Sequence, residues 1–103
     1  IGYPELAQDC FQNALKQYPL NLEYYQQLAK CYKQRGLAQV KLREYKNKKK
    51  SSLDRVMLGM LYEQCGDVKK AIFVLDDFTS SEPDLLITPA VKRYIQVLVN
   101  SIM

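Results

Sequence analysis

A spacing that occurs twice constrains the fold of this chain more than any other feature. The stretch GYPELAQDCFQNALKQYP covers positions 2 to 19, and the stretch GDVKKAIFVLDDFTSSEP covers positions 66 to 83. In both, a glycine is followed at the same distances by three packing residues and a proline. The matched positions are Gly2, Ala7, Phe11, Ala14 and Pro19 in the first copy, and Gly66, Ala71, Leu75, Phe78 and Pro83 in the second. Such self-similarity predicts helical units that stack and share a core.

A second set of matched positions lies ahead of Gly36 and Gly66, and it alternates large and small residues at helical spacing. These positions are Tyr25, Leu28, Ala29 and Tyr32 in one copy, and Leu58, Gly59 and Tyr62 in the other. Small residues let two helices approach closely, and large ones fill the space between them. A glycine can end the first helix of a pair, and a proline stops the second.

The combined pattern over residues 2–83 resembles the tetratricopeptide repeat, whose spacing is W-x2-L-G-x2-Y, then A-x3-F, then P. This resemblance implies an all-α fold, a right-handed superhelix of stacked antiparallel helix pairs. We expect one domain over residues 1–103. Within it, 2–19 is the second helix of a repeat whose first helix is missing from this sequence, 22–50 is a degenerate repeat, 52–83 is a further repeat, and 88–103 is a C-terminal helix.

The middle copy departs from the pattern at both of its small-residue positions. Lys41 and Lys48 stand there, with Tyr45 at the aromatic position, and no proline follows. Gly2 and Gly36 are 34 positions apart, whereas Gly36 and Gly66 are only 30 apart. Four residues make about one helical turn. We therefore expect the second helix of this copy to end a turn early, near Asn47, with Ser51 or Ser52 capping the next helix.

The resemblance also implies that the first helix of each pair lines a concave groove that binds a peptide or helix of a partner protein. The candidate contact residues are Gln27, Lys30, Gln34, Val56, Met57, Met60 and Gln64. Val56, Met57 and Met60 share one helix face, so they predict either an apolar half of the groove or core packing against the C-terminal helix. The family's clamp for C-terminal carboxylates is not expected, because Gln27 and Met57 replace its asparagines.

Two further surfaces could bind partners. The segment KLREYKNKKK holds six positive charges and one negative, which predicts either a solvated face or a surface for nucleic acid or another polyanion. Its cations are Lys41, Arg43, Lys46, Lys48, Lys49 and Lys50.

The C-terminal helix, with Thr88 as its expected cap, looks apolar over most of its circumference. This predicts self-association through Tyr94, Leu98 and Met103, or further repeats beyond that helix.

Several function classes find no support in the sequence. The chain has no histidine, no CxxC pair and no glycine-rich phosphate loop, so we expect no catalytic site, no bound metal and no cofactor. No apolar run is long enough to span a membrane. Three widely spaced cysteines favour a reducing compartment such as the cytoplasm. The prediction is a non-catalytic adaptor or scaffold, with polyanion binding as the alternative.

Overall fold

The computed structural model describes residues 3–48 and 51–102, and it is built from helices alone within those ranges. Their bounds are α1 Pro4–Gln17, α2 Leu22–Gln34, α3 Ala38–Asn47, α4 Ser52–Gln64, α5 Val68–Ser81 and α6 Thr88–Ser101. The prediction of an all-α helical-repeat fold is confirmed. The predictions that concern Gly2, Lys49, Lys50 and Met103 lie outside the described residues.

Local chemistry explains where the helices begin and end. Gly36 and Gly66 have φ angles of 73° and 87° directly after α2 and α4, a backbone conformation that glycine adopts without a steric penalty. Ser51 caps α4, and its backbone N–H donates to the Asp54 carboxylate over 3.2 Å. The expected helix end at Asn47 and the cap at Ser51 both occur.

The start of α6 differs from the expectation that Thr88 caps this helix. Thr88 is the first helical residue, Ile87 is the cap residue, and no side chain bonds to the helix start. The buried Thr88 hydroxyl instead donates to the backbone carbonyl of Glu82 over 2.5 Å. This bond links the start of α6 to the end of α5, and it gives the buried Thr88 hydroxyl the partner without which it would be destabilising.

Helix α4 lies at the centre of the molecule and packs against α2, α3 and α5. Helix α5 approaches α4 closely at Gly59, where an added Cβ would lie 2.5 Å from Leu75 Cδ2. Helix α6 packs against α5, and α1 packs against α2. The fully buried Phe78, Met57, Met60, Leu61 and Leu75 form the middle of the resulting core.

Helix α3 is attached less firmly than its neighbours, since Ala38 is its only buried residue. Lys41 and Lys48 occupy the positions where a small residue would let α3 approach α2 closely. The Lys41 ammonium lies 5.3 Å from the centre of the Tyr32 ring, and the Lys48 ammonium 5.0 Å from that of Tyr45. Only the contact of Lys41 with Tyr32 joins α3 to α2, because Lys48 and Tyr45 both belong to the C-terminal end of α3.

Candidate partner-binding surfaces

The exposed side of α2 carries three of the predicted contact residues. Gln27 is half-buried, and Lys30 and Gln34 are exposed. Their spacing of three and four residues places them on one face of the helix. None of these side chains has a hydrogen bond or ion pair within residues 3–48 and 51–102. We call Gln27, Lys30 and Gln34 the α2 face; its amide and ammonium groups are free to bind a partner.

The predicted contact residues of α4 lie in the core. Val56, Met57 and Met60 are 0%, 2% and 1% exposed. The physical reason is that α4 is enclosed by its neighbours: α2, α3 and α5 pack on it, and the Tyr94 hydroxyl of α6 donates to the Glu63 carboxylate. These three side chains therefore offer no accessible apolar surface in this arrangement.

Gln64 takes a different position from the other α4 candidates, because it lies at the end of the helix. It is half-buried and lines a shallow depression of about 260 Å³ together with Lys33, Gly36 and Cys65. Lys33 belongs to the same last turn of α2 as Gln34. Gln64 can therefore extend the polar surface that begins on α2.

A larger cleft of about 580 Å³ opens between α1 and α3, on the side of α2 opposite the α2 face. Its floor consists of Tyr25, Leu28 and Tyr32 from α2 and Met57 from α4. Its walls are Asp9, Gln12, Asn13, Leu15 and Lys16 on one side, and Tyr45 and Asp54 on the other. We call it the tyrosine cleft. The lysines at positions 41 and 48 indicate an irregular α3, but nothing in the spacing indicates a cleft.

Hydrogen bonds fix two of the cleft tyrosines. The Tyr25 hydroxyl donates to the Pro19 carbonyl over 2.7 Å, and Gln12 Nε2 donates to the Tyr32 hydroxyl over 3.1 Å. Burial raises the pKa of Tyr25 to about 12, and the charge of Asp54 adds to this shift. The pKa of Tyr45 is likewise raised to about 12, chiefly by burial. Tyr25 and Tyr45 are therefore neutral hydrogen-bonding groups over the physiological pH range.

The basic segment is partly engaged within the chain itself. Lys41 pairs with Glu44 over 3.3 Å, and Lys48 pairs with Asp54 over 3.6 Å. Arg43 and Lys46 are exposed. Two of the predicted polyanion-binding lysines are thus drawn towards carboxylates and tyrosine rings, which lowers the charge they present outward.

The residues predicted for self-association are largely covered by the rest of the chain where the structure describes them. Leu98 is buried and Tyr94 is half-buried, bonded to Glu63. The outer side of α6 carries exposed Lys92, Arg93, Gln96 and Asn100 beside exposed Val97. The helix is therefore less apolar on its outside than its composition indicates, because its large residues face α5 and the core.

A further apolar surface surrounds the turn between α1 and α2. A depression of about 640 Å³ is lined by Gln17, Tyr18, Pro19, Leu20, Asn21, Leu22 and Glu23, together with Ala90 of α6. Tyr18 is largely exposed at its edge. Sequence spacing does not predict this depression, since it depends on how close α6 approaches the turn.

The cysteines and acidic residues form no reactive or metal-binding cluster in the part of the chain that the structure describes. Burial raises the pKa of the Cys31 and Cys65 thiols, which favours the unreactive protonated form. Cys10 is exposed and unpaired. Within the described ranges, no helix is both long and apolar enough to cross a membrane.

Comparison with known proteins identifies the helix pair at the centre of the fold. The family model described as "Tetratricopeptide repeat" matches residues 55–85, which cover nearly all of α4, the whole of α5 and the start of the following turn. Residues 55–85 are thus similar to a tetratricopeptide repeat. The match includes Gly59 and Leu75, whose close approach joins the two helices of this repeat. No curated protein and no solved structure matches the chain.

Proposed function

We propose that the chain is a non-catalytic adaptor that holds an extended segment of a partner protein against the α2 face. A tetratricopeptide repeat indicates a protein–protein interaction module. The observation that supports the α2 face is a contrast between α2 and α4. Gln27, Lys30 and Gln34 leave their polar groups unpaired, whereas the corresponding side of α4 is covered.

The chemistry of the α2 face fits a polar peptide better than an apolar helix. Each glutamine amide can both donate to a backbone carbonyl and accept from a backbone N–H. Lys30 can pair with a carboxylate of the partner, although an exposed pair of this kind contributes only about 0–1 kcal/mol. Gln64 extends the same polar surface at the end of α4. Affinity would then rest on several hydrogen bonds along an extended backbone.

The experiment is an affinity capture from nuclease-treated lysate at high salt, with captured proteins identified by mass spectrometry. The test variant combines Gln27→Ala, Lys30→Glu and Gln34→Ala. The control is Lys69→Glu, an equal charge change at an exposed position of α5. We expect the wild type and the control to retain a common protein that the triple variant loses. Retention of that protein by the triple variant would remove the α2 face from consideration.

Polyanion binding through residues 41–50 is the second candidate, supported by the density of positive charge. Binding to phosphates weakens steeply as salt rises, because counterions are released on association. Loss of all captured material upon nuclease treatment, and its release at low salt, would favour this candidate over the α2 face. The contacts of Lys41 and Lys48 with Glu44 and Asp54 make it the weaker of the two.

A further inference from the structure

Helix α1 carries a row of side chains that the described part of the chain leaves exposed. The row begins at Tyr3, just ahead of the helix, and continues at alternating intervals of three and four residues. Its members are Tyr3, Leu6, Cys10, Asn13 and Gln17, and all of them are exposed. The exposed fractions of Tyr3 and Leu6 are 77% and 63%. Alternation of three and four residues is the spacing with which two helices pack along a common seam.

The exposed Phe73 of α5 has different surroundings, although it is 75% exposed. Charged residues take the helix positions three and four away from it, namely Lys69, Lys70, Asp76 and Asp77. Phe73 is therefore a single apolar residue on a charged surface, which is common in proteins. Tyr3 and Leu6 instead follow each other along one face of α1. We call Tyr3, Leu6, Cys10, Asn13 and Gln17 the α1 row.

The charges beside the α1 row favour a second copy of the same helix as its occupant. Glu5 and Asp9 lie in the first half of α1 and Lys16 in its last turn, all on one flank of the row. Asp9 and Lys16 form no ion pair in the part of the chain that the structure describes. In an antiparallel pair of α1 helices, the same flanks meet. Lys16 of one copy then lies between Glu5 and Asp9 of the other.

The two ends of the α1 row are complementary in that same arrangement. The row extends over about 21 Å, and Gln17 at its far end also lines the apolar depression of about 640 Å³ at the turn between α1 and α2. When Leu6 of one copy lies opposite Gln17 of the other, Tyr3 lies opposite Leu20. Leu20 lines the depression as well. Each copy therefore presents an exposed aromatic ring at one end of the row and an apolar depression at the other.

We propose that two copies of this chain associate through the α1 row, packed antiparallel about a two-fold axis between Cys10 and Asn13. Such an interface uses the same surface of both copies, so every contact occurs twice. A helix of about 21 Å offers less than the roughly 800 Å² per partner of a standard stable interface, so the dimer is weak and forms at high protein concentration. The proposal does not depend on the α2 face, since none of that face's residues takes part.

The first test is sedimentation velocity under reducing conditions, at protein concentrations from about 10 µM to about 1 mM, where we expect a monomer–dimer equilibrium. Leu6→Glu should weaken association by at least roughly tenfold, because it brings like charges together in the seam. The matched control is Phe73→Glu, at a similarly exposed position of α5, which should change the dissociation constant less than about twofold. Circular dichroism checks that both variants remain folded.

Two further measurements test the antiparallel arrangement. A short bismaleimide should join two chains through Cys10, which is exposed, whereas Cys31 is buried. Lys16→Glu should weaken association roughly threefold or more, since the lost ion pairs occur twice in the dimer. Adding Glu5→Lys and Asp9→Lys to the same chain inverts the whole pattern and should restore most of the affinity.

Four results would overturn the proposal. A strict monomer at the highest concentration would mean that a different molecule or segment covers the α1 row. Equal weakening by Leu6→Glu and Phe73→Glu would mean that the row is not the interface. A crosslink located by mass spectrometry at Cys65 instead of Cys10, or no recovery upon inversion of the charges, would contradict the antiparallel pair.

Discussion

Gly59 is the residue at which one methyl group decides how closely α4 and α5 can pack. An added Cβ would lie 2.5 Å from Leu75 Cδ2 and 2.6 Å from Leu75 Cγ, and Leu75 is fully buried. Because the surrounding core leaves Leu75 no free space, it can yield only by disturbing its own neighbours. The repeat pattern therefore has a glycine at position 59 because any side chain there would clash with Leu75.

Replacing Gly59 with alanine should destabilise the protein. Overpacking a core costs about 1–3 kcal/mol, and the better helix propensity of alanine returns at most about 1 kcal/mol. We expect a net loss of roughly 1–2 kcal/mol, measured by urea unfolding. In a double-mutant cycle with Leu75→Ala, which removes the clashing atoms, Gly59→Ala should cost much less. A Gly59→Ala variant more stable than the wild type would contradict the steric explanation.

Tyr25 should make stability depend on alkaline pH. Burial, followed by the charge of Asp54, raises its pKa to about 12 from an ordinary value of 10.0. The unfolded chain therefore loses this proton at a lower pH than the folded chain does. Its contribution to stability is fully present below pH 10 and is lost as pH rises towards 12.

The variant Tyr25→Phe separates this effect from other titrations. At neutral pH it should be less stable than the wild type by about 1 kcal/mol, because the Pro19 carbonyl loses its donor. Between pH 9 and pH 11 the wild type should lose about 1 kcal/mol that the variant does not. Urea unfolding of both proteins at the two pH values measures this. If the difference in unfolding free energy between the two proteins were the same at pH 9 and pH 11, the Tyr25 hydroxyl would not titrate as described.

At the scale of elements, α3 and α4 differ strongly in how many of their residues are buried. One residue of α3 is buried, whereas every residue from Val56 to Tyr62 is buried in α4. Segments with few buried apolar contacts open at low free energy, and the best-packed elements open only with global unfolding. We attribute the sparse packing of α3 to Lys41 and Lys48. They stand where a small residue would allow α3 to pack closely against its neighbouring helices.

Native-state hydrogen exchange should resolve this difference. We expect the amides of α3 to exchange at least about tenfold faster than those of α4, after correction for intrinsic rates, because α3 can open locally. Mass spectrometry of peptides covering 38–47 and 56–64 is sufficient. Equal protection of the two helices would mean that α3 packs as firmly as a regular repeat helix.

The sequence predicts the helical elements well because their signals are local. Gly36 and Gly66 mark two helix ends, and the shortened spacing places the end of α3 at Asn47. The same spacing shows that Val56, Met57 and Met60 share a face, but not what covers that face. That depends on how α2, α3 and α5 pack around α4, which contacts between separate helices decide. The tyrosine cleft depends in the same way on the distance between α1 and α3.

At the scale of the whole molecule, the enclosure of α4 decides which surface is free for a partner. With Val56, Met57 and Met60 covered, the predicted contact residues that remain accessible are those of the α2 face and Gln64, and the tyrosine cleft opens on the opposite side of α2. If Met60 were instead exposed in an apolar groove, the α2 face would be only the edge of a larger binding surface. The burial of Met60 therefore separates the two models of how a partner docks.

The direct measurement is thermal unfolding of Met60→Glu, followed by circular dichroism. Met60 is 1% exposed, and an unpaired carboxylate at such a position should cost about 4 kcal/mol or more, a large part of the stability of a domain this size. The matched control is Val97→Glu, at an apolar position that is 59% exposed, where we expect a change within about 0.5 kcal/mol. We predict a strongly lowered unfolding temperature or an unfolded chain for Met60→Glu alone. An unfolding temperature equal to that of the wild type would show that Met60 faces an open groove.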